Sequence, residues 1–280
     1  MASEADSSTT SDQAAAIWRA ILTGTDDRYA RTRRLLRRIP SAPRCKMCAA
    51  PFGGLGAPIM RVVGRTPWEK NHHYCGVCFT VLQNLKGGAE IECSLLFADV
   101  RGSTRLAEQM SPSKFRQLMA RFYELAAGVL VEHDAIVDKF VGDEVVAIFI
   151  PALAGDAHAA RAIASAQALL VATGNTGGGQ AWLPLGAGVH TGIAFVGSVG
   201  QGVATELTAL GDVVNVAARL ASAAAAGEIL CTTAAAHAAA LPTEKLELRR
   251  LNLRGKSEVT EVVVVSGDVQ SAGPSAAVGN

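Results

Sequence analysis

Between residues 90 and 266 the chain alternates short apolar runs with longer segments of helical spacing, and this alternation restricts the possible folds more than any other feature. The run IECSLLFADV is typical of a buried strand, and LAEQMSPSKFRQLMARFYELAAGVLVEHD follows it with the spacing of a helix. IVDKF and EVVAIFI then predict two strands around VGD, and an Ala-rich helix comes next. Alternation of this kind indicates one α/β or α+β domain built on a central sheet.

The composition excludes several classes of protein. The chain has 280 residues, 49% of them hydrophobic, and can bury a sizeable core. It contains no run of eighteen apolar residues, and its polar start, MASEADSSTTSDQ, lacks the apolar stretch of a signal peptide. We therefore expect a cytoplasmic protein without a membrane segment. A net charge of +1 makes nucleic acid an unexpected partner.

The regions outside the alternating segment differ in composition. Residues 1–13 and the Gly/Ser/Ala-rich tail 267–280 are predicted to be disordered. Residues 14–40 indicate one or two basic helices, interrupted near Gly24. We interpret the basic residues over 28–46 as a solvated helix face or a packing arm, with a phosphate-binding arm as the alternative.

Residues 41–88 contain two CxxC pairs, which are separated by 26 residues: Cys45 with Cys48, and Cys75 with Cys78. In a cytoplasmic chain this spacing favours a metal site over disulfides. Each pair forms one chelating turn of a tetrahedral four-thiolate site, and the Gly/Pro-rich surroundings leave a metal to provide most of the stability. Zinc is predicted, with an iron–sulfur cluster as the alternative. The role is interpreted as a structural knuckle, with a redox or metal sensor as the alternative.

Two aspartates stand at the ends of strand-like runs. Asp99 ends the first run and precedes Arg-Gly-Ser-Thr and a helix, and Asp143 lies in the VGD turn. A helix N-terminus attracts phosphate, and a carboxylate suits that place if a divalent cation lies between them. Two converging aspartates are typical of two-metal phosphoryl or nucleotidyl transfer. The alternative is a helix N-cap and a turn residue.

Four segments in order carry a resemblance to a known family: FADVRGSTRLAE, KFVGDEVVAIF, GVHTGIAFVGSVG and LTALGDVVNVAARLAS. Over residues 89–266 the chain resembles the class III nucleotidyl cyclase catalytic domain. The resemblance implies an α+β fold with a ferredoxin-like βαββαβ core and extra C-terminal strands. The N-terminal helix and the four-cysteine module would precede that domain.

The resemblance also assigns roles to single residues. Two Mg²⁺ or Mn²⁺ ions would be bound by Asp99, Val100 and Asp143. The phosphates would contact Gly102, Ser103, Thr104 and Arg254. Lys256 competes with Arg254 for the last position. The ribose and the transition state would be held by Asn215 and Arg219, whose i, i+4 spacing puts both on one helix face.

Base selection is implied for Lys139 and Thr208. Lys139 stands three residues before the Gly of VGD, where a lysine donates to adenine N1 and guanylate cyclases carry a glutamate. Thr208 stands seven residues before Asn215, where many adenylate cyclases have an aspartate. A threonine hydroxyl can still accept from the adenine amino group. The resemblance is to a threonine-containing subgroup with bicarbonate-stimulated members, so a bicarbonate response is a hypothesis.

The implied activity is that of an adenylate cyclase, a phosphorus–oxygen lyase. The ribose 3′-OH of ATP would attack the α-phosphorus to form 3′,5′-cyclic AMP and pyrophosphate. The site would be shared between the chains of a head-to-tail homodimer, so that Lys139 and Asp143 would serve different sites instead of pairing with each other. The alternatives are a guanylate cyclase, which Lys139 disfavours, and a silent cyclase-like domain that serves a metal-dependent binding or sensor module.

Overall fold

The computed structural model describes residues 2–39, 43–45, 47–68, 71–84, 86–176, 181–200, 206–253, 256 and 259–267, and only the backbone of 2–11, 71, 73, 82–84 and 206. The α-helices are α1 (Ala2–Thr23), α2 (Asp27–Leu36), α3 (Ala57–Val62), α4 (Gly76–Asn84), α5 (Ser103–Gln109), α6 (Pro112–Glu132), α7 (Pro151–Ala154), α8 (His158–Ala172), α9 (Asp212–Ala223) and α10 (Thr233–Ala238). The strands are β1 (Pro67–Trp68), β2 (Asn71–Cys75), β3 (Gly87–Val100), β4 (Ile136–Val141), β5 (Glu144–Phe149), β6 (Leu185–Val199), β7 (Glu206–Leu210), β8 (Glu228–Thr232), β9 (Glu247–Leu251) and β10 (Thr260–Ser266).

One eight-stranded sheet organises the chain after β2. Its strand order is β4-β5-β3-β6-β8-β10-β9, with β7 paired to the far end of β6. The first four strands are antiparallel to their neighbours, and α6 and α8 connect them as β3-α6-β4-β5-α8-β6. Strand β8 joins β6 in parallel, and β10 and β9 follow it. The predicted α+β fold, with a ferredoxin-like βαββαβ core and extra C-terminal strands, is confirmed.

Strand β3 runs through the middle of the sheet and is buried on both faces. Leu96 and Ala98 belong to a core that includes Phe122 of α6 and residues of α8 and α10. Leu95 and Phe97 belong to the opposite core, which includes α1 and α9. A strand covered on both faces reads as a continuous apolar run, which explains the sequence IECSLLFADV.

Helix α1 differs from the predicted disorder over residues 1–13. It begins at Ala2, so the backbone of nearly all of that segment is helical. Trp18 and Leu22 are fully buried, and Ile21 is nearly so, in the core beside β3. Once these residues anchor a helix, each further residue adds one backbone hydrogen bond, and polar residues can continue it. Low hydrophobicity therefore did not prevent helix formation here.

The cysteine-containing region shares a core with the sheet. Tyr74 and Phe79 belong to the same buried cluster as Ile91 and Val196 of the sheet. Strand β3 starts at Gly87, so the predicted boundary between residues 88 and 89 falls inside a strand. The predicted disordered tail lies outside the described residues from 268 onward. Among the described helices, none combines the length and apolar character that crossing a bilayer requires.

Candidate active site

The carboxyl groups of Asp99 and Asp143 converge where β3 meets the turn between β4 and β5. The Val100 N–H donates to the Asp143 carbonyl oxygen at 3.2 Å, and the two carboxyls lie within hydrogen-bonding reach of each other. Burial raises the pKa of Asp99 to about 6; Arg101 opposes this rise and Asp143 adds to it. Crowded carboxylate oxygens of this kind form a donor set that suits a hard divalent cation. The side chain of Val100 is buried, so only its backbone carbonyl could join them.

Glu144 is a third carboxylate at this place, and the sequence-based prediction missed it. It follows Asp143 and faces Asp99 in the pairing of β5 with β3. Burial raises its pKa to about 7, and the charges of Asp99 and Asp143 add to the rise. Its position could have been found from the sequence, because directly paired residues on antiparallel strands have neighbouring side chains.

Arg101 provides a positive charge beside these carboxylates. Its guanidinium forms an ion pair with Asp99 and donates to the carbonyl oxygens of Ser222 at 2.9 Å and Ala224 at 3.3 Å. It therefore ties the end of β3 to the C-terminal end of α9. The Arg101 guanidinium thus already places one positive charge beside Asp99, as expected where several carboxylates attract positive charge.

The predicted phosphate loop turns sharply after Arg101. Gly102 has φ 69°, a left-handed conformation that favours glycine, and its carbonyl accepts from the Leu106 N–H at 3.0 Å as α5 begins. Ser103 is half-buried and Thr104 is exposed at that helix start. Arg254 lies outside the described residues, and its competitor Lys256 forms an ion pair with Asp212.

Lys139 and Thr208 meet at a residue that the sequence-based prediction did not assign. The Thr208 hydroxyl donates to Oδ2 of Asp138 at 2.8 Å, and Lys139 Nζ lies 3.5 Å from the same oxygen. The ion pair described for Lys139 is therefore with Asp138 and not with Asp143. The Tyr123 hydroxyl donates to the Gly142 carbonyl and so holds the VGD turn on α6.

Asn215 and Arg219 lie on α9, whose other side packs on the sheet through Val213, Ala217 and Leu220. Asn215 is exposed and Arg219 is half-buried. Asp99 forms its ion pair with Arg101, which itself contacts the C-terminal end of α9.

The four predicted cysteine ligands form one buried cluster. Their sulfur atoms all lie within 4.8 Å of one another, and Sγ of Cys48 is 3.7 Å from Sγ of Cys75. A tetrahedral ion with Zn–S bonds of about 2.3 Å would hold its sulfurs about 3.8 Å apart. The Cys75 N–H donates to Cys45 Sγ at 3.3 Å, and Arg65 Nη1 donates to Cys48 Sγ at 3.2 Å. The cluster could therefore hold a single metal ion.

Comparisons with known proteins agree with this geometry. Residues 88–266 match the family model described as the adenylate and guanylate cyclase catalytic domain. "Adenylate cyclase 1" of Rhizobium meliloti is 34% identical over 134 residues, which cover 46% of this chain and 20% of that protein. "Adenylate cyclase" of Anabaena cylindrica is 31% identical over 149 residues, which cover 50% and 29%. The chain thus spans less than a third of either relative.

Two solved structures are similar to a large part of this chain. The guanylyl cyclase Cya2 aligns with a TM-score of 0.58 and 25% identity, covering 64% of this chain and 93% of that one. The adenylyl cyclase CyaB from P. aeruginosa aligns with a TM-score of 0.56 and 26% identity, covering 63% and 95%. The similarity therefore takes in nearly the whole of both cyclase chains.

Proposed function

Because this chain belongs to the family of adenylate and guanylate cyclase catalytic domains, we propose that it converts ATP to 3′,5′-cyclic AMP and pyrophosphate. The observation that carries the choice of ATP is the meeting of Lys139 and Thr208 at Asp138. An ammonium donates to the unprotonated N1 of adenine, whereas N1 of guanine carries a proton. A threonine oxygen accepts from the 6-amino group of adenine.

The chain's own groups would divide the reaction between them. Two Mg²⁺ or Mn²⁺ ions, held by Asp99, the Val100 carbonyl and Asp143, would supply activation of the 3′-OH and charge neutralisation of the leaving pyrophosphate. The amides from Gly102 to Thr104 would bind phosphate oxygens, with Arg254 as a further phosphate contact. Asn215 would orient the ribose. Arg219 would donate to the α-phosphate oxygens, where negative charge increases in the transition state.

A head-to-tail homodimer would complete the site. This proposal is supported by the family to which the chain belongs, because the resemblance implies that Asp99 of one chain and Arg219 of the other serve the same site. Mixing Asp99→Ala chains with Arg219→Ala chains should then restore part of the activity, because each heterodimer has one intact site. Absence of recovery, with heterodimers demonstrated by differently tagged chains, would refute the shared site.

The four cysteines would bind zinc in a structural site. The spacing of their sulfurs supports one ion, whereas a multi-iron cluster needs more room between its thiolates. Cys48 and Cys75 lie in the core shared with the sheet, so the ion would stabilise the face that carries β6 and β7. Metal analysis and an absorption spectrum of anaerobically purified protein test this. Visible absorption with stoichiometric iron would overturn zinc.

A cyclic-nucleotide assay tests the activity. Purified protein is incubated with Mn²⁺-ATP, Mg²⁺-ATP and the corresponding GTP complexes, and both cyclic products are measured. Formation of cyclic AMP alone is expected. Cyclic GMP as the main product would favour a guanylate cyclase, an alternative supported by the similarity to Cya2. No product from either nucleotide would indicate a silent domain. Equal rates with and without bicarbonate at fixed pH would refute the bicarbonate hypothesis.

A further inference from the structure

We propose that Asp138 is a positioning residue that orients the Thr208 hydroxyl so that its oxygen can only accept a hydrogen bond from the base. Asp138 would thereby select a 6-aminopurine over a 6-oxopurine. This inference rests on the proposed function and deepens it, because it concerns how the same site recognises its nucleotide.

A β-bulge places Asp138 where it can do this. In the pairing of β4 with β5, Val137 faces Ala147 and Lys139 faces Val146, so Asp138 is the extra residue. A bulge breaks the alternation of side chains along a strand and redirects the extra one. The Asp138 side chain is only 5% exposed. It reaches Thr208 on β7, although β7 pairs with β6 and β4 pairs with β5.

The hydrogen bond determines what Thr208 can offer a ligand. A hydroxyl has one proton, and at 2.8 Å that proton is donated to Asp138 Oδ2. A carboxylate oxygen accepts and cannot donate in return, and the Lys139 ammonium 3.5 Å from Oδ2 provides the balancing positive charge. The Thr208 oxygen therefore retains only lone pairs for the base. These lone pairs attract the amino group of adenine and repel the carbonyl oxygen of guanine.

The same carboxylate oxygen also restrains Lys139. Its Nζ lies 3.5 Å away, while the side chain is 40% exposed and would otherwise be free to sample several rotamers. An ammonium has three protons, so one directed at Asp138 leaves two for the base. One residue thus holds both base-reading groups at a set separation. Without it, the Thr208 hydroxyl could rotate and donate to the oxygen of guanine.

A purely structural role makes a different prediction. If Asp138 only satisfies buried polar groups, its loss would lower stability and would reduce turnover of ATP and GTP by the same factor. A positioning role predicts a change in the ratio of the two kcat/KM values. The ratio therefore separates the two roles, whereas activity with ATP alone does not.

The test compares kcat/KM for ATP, GTP and inosine triphosphate in Asp138→Asn and the wild type. The ATP:GTP ratio is expected to fall on the order of tenfold or more, and inosine triphosphate should follow GTP because it also has a 6-oxo group. The matched control is Asp134→Asn, which removes a similarly buried carboxylate that pairs with Arg161 at 2.9 Å, outside the site. That variant should retain the wild-type ratio.

A double-mutant cycle tests whether Asp138 acts on base selection through Thr208. If Asp138 acts through Thr208, Asp138→Asn should change the ATP:GTP ratio of kcat/KM much less in the Thr208→Val variant than in the wild type. Thr208→Ser, which keeps the hydroxyl, should retain the ratio. If Asp138→Asn does not fold by circular dichroism, Asp138→Ser is the second variant and carries the same expectation.

The outcomes separate this inference from the proposed function. An unchanged ATP:GTP ratio in a folded Asp138 variant of an active cyclase would overturn the inference and leave the proposed function intact. An equal fall with both nucleotides would do the same. A wild-type protein that turns over neither nucleotide would refute the proposed function and this inference with it.

Discussion

Replacing Gly188 with alanine would place a methyl group against the backbone of α9. Gly188 lies on β6, directly beneath the helix that carries Asn215 and Arg219. A Cβ at this position would lie 2.4 Å from the Ala221 nitrogen, 2.5 Å from the Ala217 carbonyl oxygen and 2.6 Å from Leu220 Cβ. None of these atoms can rotate away, because each belongs to the backbone or is attached directly to it.

The size of the effect follows from these distances. Ordinary contact begins near 3.4 Å, so the closest atom is about 1 Å too near. Inserting a methylene into a packed core costs about 1–3 kcal/mol, and for a domain of this size each kcal/mol lowers Tm by about 2–4 °C. A displacement of about 1 Å in a catalytic helix can reduce the rate about a hundredfold. Gly188→Ala should therefore lower both stability and kcat.

The assay is a thermal melt followed by a cyclic AMP assay at a temperature where the variant is fully folded. The loss should fall on kcat more than on KM, because α9 would carry the transition-state residue and the base is read elsewhere. The matched control is Gly128→Ala on the exposed face of α6, where a Cβ meets nothing within 4 Å. That substitution should stabilise the protein by about 0.5–1 kcal/mol. Wild-type melting and turnover in Gly188→Ala would refute the reasoning.

Three further predictions address other parts of the molecule. Lys139→Glu should weaken selection of ATP over GTP in kcat/KM and leave metal binding by Asp143 largely intact, because Lys139 pairs with Asp138 and not with Asp143; collapse of the fold would show that the lysine mainly stabilises the hairpin. The Cys48→Ser protein should lose the metal of the four-cysteine cluster and melt at a lower Tm. The control is Cys231→Ser, which replaces a buried thiol outside the cluster and should retain the metal in the same metal analysis. Burial lowers the pKa of His190 to about 4. As the pH falls below 6.5, the unfolded chain therefore binds a proton at this histidine, whereas the folded chain binds it only near pH 4. Stability should therefore fall by about 2 kcal/mol between pH 7 and 5, and urea unfolding of His190→Gln should show a correspondingly weaker pH dependence; an unchanged slope would contradict this.

Several features of the fold followed from spacing alone. The strand-like runs around VGD became β4 and β5, and the apolar run before Asp99 became the central strand β3. The two CxxC pairs came together as a cluster, since each pair forms a local turn with its sulfurs facing the same way. Within each strand and each CxxC turn, these features depend on neighbours in sequence, for which the local period and spacing are enough.

Other features were missed because they depend on contacts between distant segments. The helix over residues 2–11 was predicted to be disordered, since polar composition does not show that a downstream anchor such as Trp18 will dock. Glu144 joined the carboxylates through the register of β5 against β3, which the sequence suggests only after the pairing is known. The proximity of Gly188 to α9 depends on how closely a helix can approach a strand.

The hairpin IVDKFVGDEVVAIF shows both parts of this division. The sequence by itself determined that a strand, a glycine turn and a second strand would carry Lys139 and Asp143 on one hairpin. Only the tertiary structure decided that Lys139 pairs with Asp138 and that Asp138 meets Thr208, seventy residues away. The physical reason is that a bulge and the course of a twisted sheet decide which side chains from unpaired strands meet, and neither is encoded in local spacing.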